Sequence, residues 1–319
     1  MEYNFYSRYE TGHRKEYIEF VTEYLKGHRV DIFAGMLSKR PLLFLMIEEW
    51  FFLFVVISSL RAFFGLRTSG LTFRAHLCIS PSSYRLRIKR FILRKMKKSK
   101  FCRVLSITPF EIEPGLEDIC AAYILDFQFW DKEFVISKYS KAQVESFDAQ
   151  MLEAAAGRII VSAVGKQNID KGIDLFVNLY NDSESIRSSY CFLIGGKVDD
   201  IPAQSIEKFI NLGGLVINRF ISESELVSIY KASKYIWCCY SPNYNQSSGV
   251  LGRGIQFSNV VIVRDNSVSH KLCKKMNAPY LVFEDFKNGK DRCRSNEIMD
   301  DCVVLYNSHL FFNDVFASE

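Results

Sequence analysis

Residues 158–172 read Arg158-Ile159-Ile160-Val161-Ser162-Ala163-Val164-Gly165-Lys166-Gln167-Asn168-Ile169-Asp170-Lys171-Gly172. The first half is an apolar, β-branched run, the pattern of a strand buried on both faces. A glycine closes the run, a polar loop carries two lysines, and a second glycine opens Gly172–Tyr180, which reads as a helix. A buried strand that feeds a helix through a glycine loop is half of a βαβ unit. The surrounding sheet is therefore expected to be mainly parallel and covered by helices.

Outward from this segment the alternation continues in both directions. Downstream, strands are expected at Tyr190–Ile194 (ending in Gly195-Gly196), Leu215–Asn218, Tyr235–Cys239 and Val260–Val263, with helices at Ser205–Leu212 and from Ser248 to Phe257. Ser222, with Glu225 three residues on, is a capping-box pattern that starts another helix. Upstream, Tyr3–Ser7, Pro41–Ile47, Leu71–Arg74, Arg103–Thr108 and Ala122–Asp126 read as strands. Arg14–Lys26, Trp50–Phe64 and Tyr84–Lys100 read as helices, and Trp130–Glu153 is polar and partly helical. With 319 residues, two doubly wound units are expected, divided near residue 150.

Composition narrows the class. Hydrophobic residues make up 48% and charged residues 24%, as in ordinary globular chains. The nine cysteines show no C-x-x-C spacing, and only His76 and His270 lie near any of them, so no zinc site is expected. Buried free thiols in a reducing cytoplasm are the simpler reading. Met1-Glu2-Tyr3 opens with an acid and lacks the apolar core of a secretory leader. The greasy stretch Pro41–Phe64 is interrupted by Glu48, Glu49 and Arg61; its longest uncharged part, Trp50–Leu60, has 11 residues. A spanning helix needs about 20, so Trp50–Phe64 is expected to be a buried helix, with shallow membrane contact left open.

Charge is uneven. Residues 1–110 hold 20 Lys and Arg against 8 Asp and Glu, whereas residues 111–319 hold 21 against 28. The basic excess peaks at Tyr84–Lys100, with nine cations and no acid, interleaved with Leu86, Ile88, Phe91, Ile92, Leu93 and Met96. Such a segment fits an anionic leaflet, a nucleic-acid backbone or a sheet-covering helix with a solvated basic face. No base-stacking or groove-reading motif accompanies it, so nucleic acid is not the expected partner.

Two loops could hold an anion. The first is Gly165–Gly172, where Lys166 and Lys171 flank the start of a helix; helix N-termini and lysines both favour a diphosphate. The second is Tyr240-Ser241-Pro242-Asn243-Tyr244-Asn245-Gln246-Ser247-Ser248-Gly249, after one strand and before a helix. Ser247, Ser248 and Gly249 would present N–H groups and hydroxyls there. It is not a Walker loop, because no G-K-[ST] follows. Alone, the first reads more simply as a solvated loop and the second as a turn with a serine N-cap.

In order and spacing, these segments over about residues 158–284 resemble the C-terminal domain of the family 4 glycosyltransferases of bacterial surface-polysaccharide synthesis. The resemblance rests on Gly165-Lys166 with Lys171-Gly172, on Gly195-Gly196, on Ile221-Ser222-Glu223-Ser224-Glu225-Leu226 with Tyr230-Lys231-Ala232-Ser233, and on Ser247-Ser248-Gly249 followed by Val260-Val261-Ile262-Val263. It implies an α/β fold of the GT-B type: two Rossmann-like, doubly wound domains facing across a cleft. Residues 1–150 would bind the acceptor and 151–319 the nucleotide-sugar, with the last helix packing back on the N-terminal lobe.

By position, the resemblance gives Lys166 and Lys171 the donor diphosphate. The family's two glutamates, separated by seven residues, fall on Gln246 and Gly254 when anchored on Gly249. Gln246 could still meet a sugar hydroxyl; Gly254 could not hold ribose, which leaves Arg253 or the backbone. Gly12 and His13, in Thr11-Gly12-His13, resemble the family's glycine loop, and His76 stands roughly where many members direct a histidine at the donor sugar. Read from residues alone, His13 and His76 are equally well satisfied structural histidines.

The implied reaction is retaining glycosyl transfer from a nucleotide-sugar to a saccharide acceptor carried on lipid, in cell-surface polysaccharide assembly. It needs no metal, and none is expected: there is no D-x-D signature. The protein is expected to be cytoplasmic, peripheral on the membrane's inner face. Two rivals stand beside this reading. A non-catalytic binding or scaffold subunit is favoured by the missing glutamates. A sugar-nucleotide epimerase on the same fold would need paired acid and base groups that the sequence does not clearly supply.

Overall fold

The computed structural model describes residues 2–10, 13–126, 149–242, 244, 248–290 and 315. Gly12, Gln246, Ser247 and the 130–148 segment fall outside them, as does the side chain of His13. The chain divides into two compact units, Met1–Phe127 with Leu305–Glu319, and Gln128–Val304.

The first unit carries β1 (Asn4–Tyr6), β2 (His28–Arg29), β3 (Leu42–Phe44), β4 (Thr68–Thr72), β5 (Cys102–Ser106) and β6 (Ala122–Tyr123). They pair in the order β2-β1-β3-β4-β5-β6, every pairing parallel. Strand order reverses between β1 and β3. The Ser69 hydroxyl of β4 donates to the backbone carbonyl of Val315, so the C-terminal segment reaches this sheet.

β4 begins three residues before the expected Leu71–Arg74 and stops at Thr72. Thr68-Ser69-Gly70 looks like a turn in sequence, yet all five strand residues are buried. Small size is the reason. A Cβ on Gly70 would lie 2.4 Å from Cγ2 of Ile47 and 2.8 Å from the Phe54 ring. The helix above comes down onto this strand, and only a glycine fits between them.

That helix, Phe51–Phe63, departs from the expectation of full burial. Phe51, Phe54, Ile57, Ser58 and Arg61 are buried, whereas Phe52, Val56, Leu60 and Phe63 are exposed. Arg61 is 1% exposed. Its Nε donates to Thr68 Oγ1 at 3.0 Å, and its terminal nitrogens reach the carbonyls of Gly35 and Ser38 (2.7 Å each), Arg40 (2.7 Å) and Arg67 (3.1 Å). The charge that interrupts the apolar run is thus a buried clamp joining helix Ile32–Leu37, the β3 entry and the turn into β4.

Arg14–Lys26 is also not one regular helix. An α-helix spans His13–Glu19, and a π-turn follows at Phe20–Tyr24, with the Phe20 and Tyr24 rings stacked at 4.8 Å. Tyr84–Lys97 is helical as its pattern predicts, and the Ser83 side chain caps it. Arg90 and Arg94 both pair with Asp118.

The second unit carries β7 (Ile159–Val164), β8 (Tyr190–Gly195), β9 (Leu215–Ile217), β10 (Tyr235–Cys238), β11 (Val260–Val263) and β12 (Tyr280–Val282). The order is β12-β11-β10-β7-β8-β9, again all parallel. This is the 3-2-1-4-5-6 arrangement of a dinucleotide-binding sheet, and its order reverses between β7 and β10. Phe176, Phe192, Trp237, Tyr180 and Phe209 form an aromatic core beneath the crossover helices, with Phe176 and Phe192 centroids 4.5 Å apart. The Ser222–Glu225 capping box forms as its spacing predicts.

Candidate functional site

In an open parallel sheet, ligands settle outside the carboxyl ends of the strands where the order reverses. For the second unit that point lies between the loops that leave β7 and β10, the two loops singled out by sequence. The structure shows why they fit together. Gly172 is left-handed (φ 68°), and a Cβ there would fall 2.2 Å from the Cys239 carbonyl oxygen. Trp237 Nε1 donates to the Gly172 carbonyl at 3.1 Å, and Ser241 N donates to the Asp170 carbonyl at 2.9 Å. The first loop therefore lies directly on the end of β10.

This contact carries Lys171 to the second loop. Its Nζ donates to Tyr244 Oη at 2.8 Å and to Ser248 Oγ at 3.3 Å. The same ammonium lies 4.3 Å from the Tyr240 ring centroid and 4.2 Å from that of Tyr244. Two aromatic faces and two hydroxyls thus hold one half-buried cation. The Tyr240 hydroxyl lies 2.6 Å from Ser248 Oγ, and burial keeps that phenol protonated well beyond its ordinary range. Ser248 begins helix Gly249–Gln256, but its side chain faces this cluster and caps no backbone N–H. The first N–H groups of that helix lack intrahelical acceptors, and the hydroxyl of the residue that begins it meets the lysine. Arg264, at the end of β11, fixes the floor by donating to the Tyr240 carbonyl at 3.0 Å. Ser241 Oγ is buried without a hydrogen-bond partner among the described residues.

Lys166 does not join them. Gly165 (φ 83°) and Gly196 lie back to back, and a Cβ on Gly196 would fall 2.0 Å from the Gly165 carbonyl oxygen. Beyond that point Gln167 pairs its backbone with Lys197 and Asp199, at 2.8 Å each. That register turns Lys166 outward to Asp199, 2.9 Å away. The Lys166 ammonium holds the Asp199 carboxyl below the usual carboxylate range, and Asp199 in turn raises the lysine.

Arg253 donates to Gln256 Oε1 at 2.6 Å. Gly254 faces the sheet, since a Cβ there would lie 3.0 Å from Val261 and 3.5 Å from Ile236. A side chain at position 254 would start tight against the sheet, and the glycine present offers a ligand no side-chain group. His76 belongs to the first unit, in a 3-10 turn at Ala75–Cys78 just past β4. Burial, and then Arg74, pushes its imidazole below the ordinary histidine value, so it is neutral at pH 7.

At the corresponding reversal in the first unit, Glu48 accepts from Thr72 Oγ1 (2.5 Å), Phe73 N (2.6 Å) and Arg74 N (2.7 Å), which fixes the chain leaving β4. Arg14 pairs with Glu49, and the Arg8 guanidinium lies over the Tyr9 and Trp50 rings at 4.7 and 4.4 Å. The seven described cysteines are buried and free, with burial pushing Cys102, Cys238 and Cys239 up to about 12. No group of three metal-ligating side chains occurs among the described residues.

Sequence reasoning gave no role to Tyr240 or Tyr244. Their i, i+4 spacing beside the serine turn was the available signal.

No protein-family model matches the chain, and no curated protein matches it. Solved structures do. The N-terminal domain of Candida albicans trehalose-6-phosphate phosphatase aligns with 96% of this chain and 72% of its own at 10% identity, TM-score 0.53. A trehalose 6-phosphate synthase from Burkholderia multivorans aligns with 92% of this chain and 71% of its own at 10% identity, TM-score 0.52. An Escherichia coli trehalose-6-phosphate protein bound with UDP-2-fluoro glucose aligns with 83% and 68% at 8% identity, TM-score 0.52. The chain spans as little as 64% of the length of a solved structure it matches, and 68 to 72% of the three named. At such identities the likeness is one of fold: two Rossmann-like units of the GT-B type.

Proposed function

We propose that this protein is a glycosyltransferase whose second unit binds a nucleotide-sugar with the donor diphosphate on Lys171. The observation that carries the reading is the convergence of Lys171 with Ser248 at the strand-order reversal of that sheet. A cation, two hydroxyls and the start of a helix, all at the strands' carboxyl ends, make a diphosphate cradle. Lys166, exposed and turned outward to Asp199, would have to leave that carboxylate to serve as a second cation for the same phosphates. A uridine diphosphate hexose is the first donor to try, because one neighbour of the same fold is held with UDP-2-fluoro glucose.

In the transfer, the bond from the anomeric carbon to the diphosphate oxygen breaks. A bond to the acceptor hydroxyl oxygen forms on the same face, and the leaving diphosphate takes the acceptor's proton. Lys171 and the amides of Ser248 and Gly249 stabilise the charge that grows on the leaving group. No base is required and no metal is invoked. The acceptor belongs to the first unit; His76 is the candidate contact to the donor sugar, and Gly12 and His13 the candidate loop over donor and acceptor. A lipid-linked saccharide at the inner membrane face fits the basic excess of that unit.

A second reading is favoured by one observation: Lys171 is already enclosed by two tyrosines and Lys166 by Asp199. Cations so engaged suit a binding subunit without turnover. A thermal-shift screen of nucleotide-sugars, followed by an assay of nucleoside diphosphate release with and without lipid-linked saccharide, separates the two. Stabilisation with acceptor-dependent release is expected. Stabilisation without release would favour the binding subunit, and release without acceptor an epimerase or hydrolase. The absence of stabilisation by any nucleotide-sugar would remove the proposal.

A further inference from the structure

Residues 50–110 contain thirteen Lys and Arg and not one Asp or Glu. The first unit folds this run into two neighbouring helices, Phe51–Phe63 and Tyr84–Lys97. Phe51, Phe54 and Ile57 of one share a hydrophobic cluster with Leu93 of the other, and Lys89 Nζ lies 5.2 Å from the Phe51 ring. Both helices therefore cover the same face of the sheet, and their outer sides are neighbours.

Those outer sides carry unusual residues. On the first helix Phe52, Val56, Leu60 and Phe63 recur at spacings of three and four, an apolar stripe turned to solvent. The stripe ends in a tip where Phe63 is 85% and Phe64 71% exposed. Arg61 ties this end to helix Ile32–Leu37, whose Phe33 and Leu37 are 72% and 75% exposed. The turn after Phe64 also meets the lysine-rich turn: Thr68 N donates to the Phe101 carbonyl at 2.8 Å, a Cβ on Gly65 would lie 4.0 Å from the Phe101 ring, and Lys100 Nζ sits 5.4 Å from that ring's centroid. On the basic helix Tyr84, Arg87, Phe91, Lys95 and Lys98 follow one exposed line. Asp118 and the Glu117 carbonyl engage Arg90, Arg94 and Lys97. Arg85, Arg87 and Lys98 have no ion pair among the described residues.

We infer that this face of the first unit docks on an anionic lipid bilayer, with the Phe63–Phe64 tip entering the interface and the flanking Lys and Arg reaching the headgroups. Solvent-facing phenylalanines beside cations that have no ion pair among the described residues match the layered polarity of such a surface. A second copy is a poorer occupant, because it would bring the same positive excess to the contact. A nucleic-acid backbone would engage the cations but leave the stripe from Phe52 to Phe63 in water. No described helix is long and apolar enough to cross a membrane, so the contact is interfacial. The inference stands on this surface alone and holds for any chemistry in the second unit.

The test is co-sedimentation of the full chain with phosphatidylcholine vesicles, against vesicles carrying about 30% phosphatidylglycerol. Binding is expected only with the anionic vesicles and should fall with salt. Phe63→Ser with Phe64→Ser should lower the partition coefficient by at least about tenfold, and Arg87→Gln with Lys98→Gln by about 30-fold. Thermal melting and nucleotide-sugar binding, measured on the same variants, should be unchanged and so separate this inference from the donor-site reading. Equal binding to neutral vesicles, no binding to anionic ones, or full binding by the serine variant would overturn it. So would a lipid-free dimer that the serine variant converts to monomer, which assigns the face to a second copy.

Discussion

Replacing Lys171 by methionine and Tyr244 by phenylalanine should move ligand affinity in opposite directions. Methionine keeps the unbranched stem and removes the ammonium. The charge-assisted bond it would make to a phosphate oxygen contributes about 1.5–3 kcal/mol, so Lys171→Met should weaken nucleoside diphosphate binding by about 10- to 150-fold. In Tyr244→Phe the ring stays 4.2 Å from Nζ, but the hydroxyl that receives the 2.8 Å hydrogen bond is gone. One donor of the ammonium is then free for phosphate, and affinity should hold or rise by up to about fivefold. Isothermal titration of a nucleoside diphosphate into each full-length variant measures both. Binding by Lys171→Met within twofold of wild type, or a Tyr244→Phe loss as large as that of Lys171→Met, would refute the reasoning.

Gly172→Ala should destabilise the second unit by about 3 kcal/mol or more, because a left-handed alanine meets the Cys239 carbonyl; differential scanning calorimetry should show one transition falling. Arg61→Lys should cost the first unit about 2–4 kcal/mol, since an ammonium cannot span carbonyls on three segments, and urea unfolding followed by circular dichroism reads it. The Arg219 guanidinium holds the Glu225 carboxyl at about 2, below its ordinary value. Its contribution is therefore complete above about pH 5 and lost as pH falls toward 2. Arg219 is about half exposed and a glutamine keeps the capping-box bonds to Ser222, so Glu225→Gln should cost only about 0.5–1 kcal/mol at pH 7, a difference that shrinks below pH 5 in thermal melts.

Most of the sheet framework was legible because buried parallel strands have a plain signature: Ile159–Val164 and Val260–Val263 admit no other reading. β4 was misplaced because Gly70 is set by the space under Phe54, sixteen positions away, and Thr68 and Ser69 by bonds to Arg61 and Val315, none of which local pattern reports. Helix Phe51–Phe63 read as buried because apolarity alone does not report which face meets the core, and its exposed stripe is as apolar as its buried one. At the candidate site, glycines and lysines marked the two loops. Their division of labour was hidden, because a backbone pairing between Gln167 and the segment after β8 decides where Lys166 points. The tyrosines around Lys171 were invisible as a site since aromatic residues after a strand more often serve packing.

The central claim is that a nucleotide-sugar's diphosphate is held at the β7–β10 reversal by Lys171. A crystal structure of the full chain with a bound nucleoside diphosphate tests it most directly. The account predicts phosphate oxygens within hydrogen-bond distance of Lys171 Nζ and of the first amides of helix Gly249–Gln256. Phosphates bound elsewhere, with Lys171 still closed between Tyr240 and Tyr244, would contradict it.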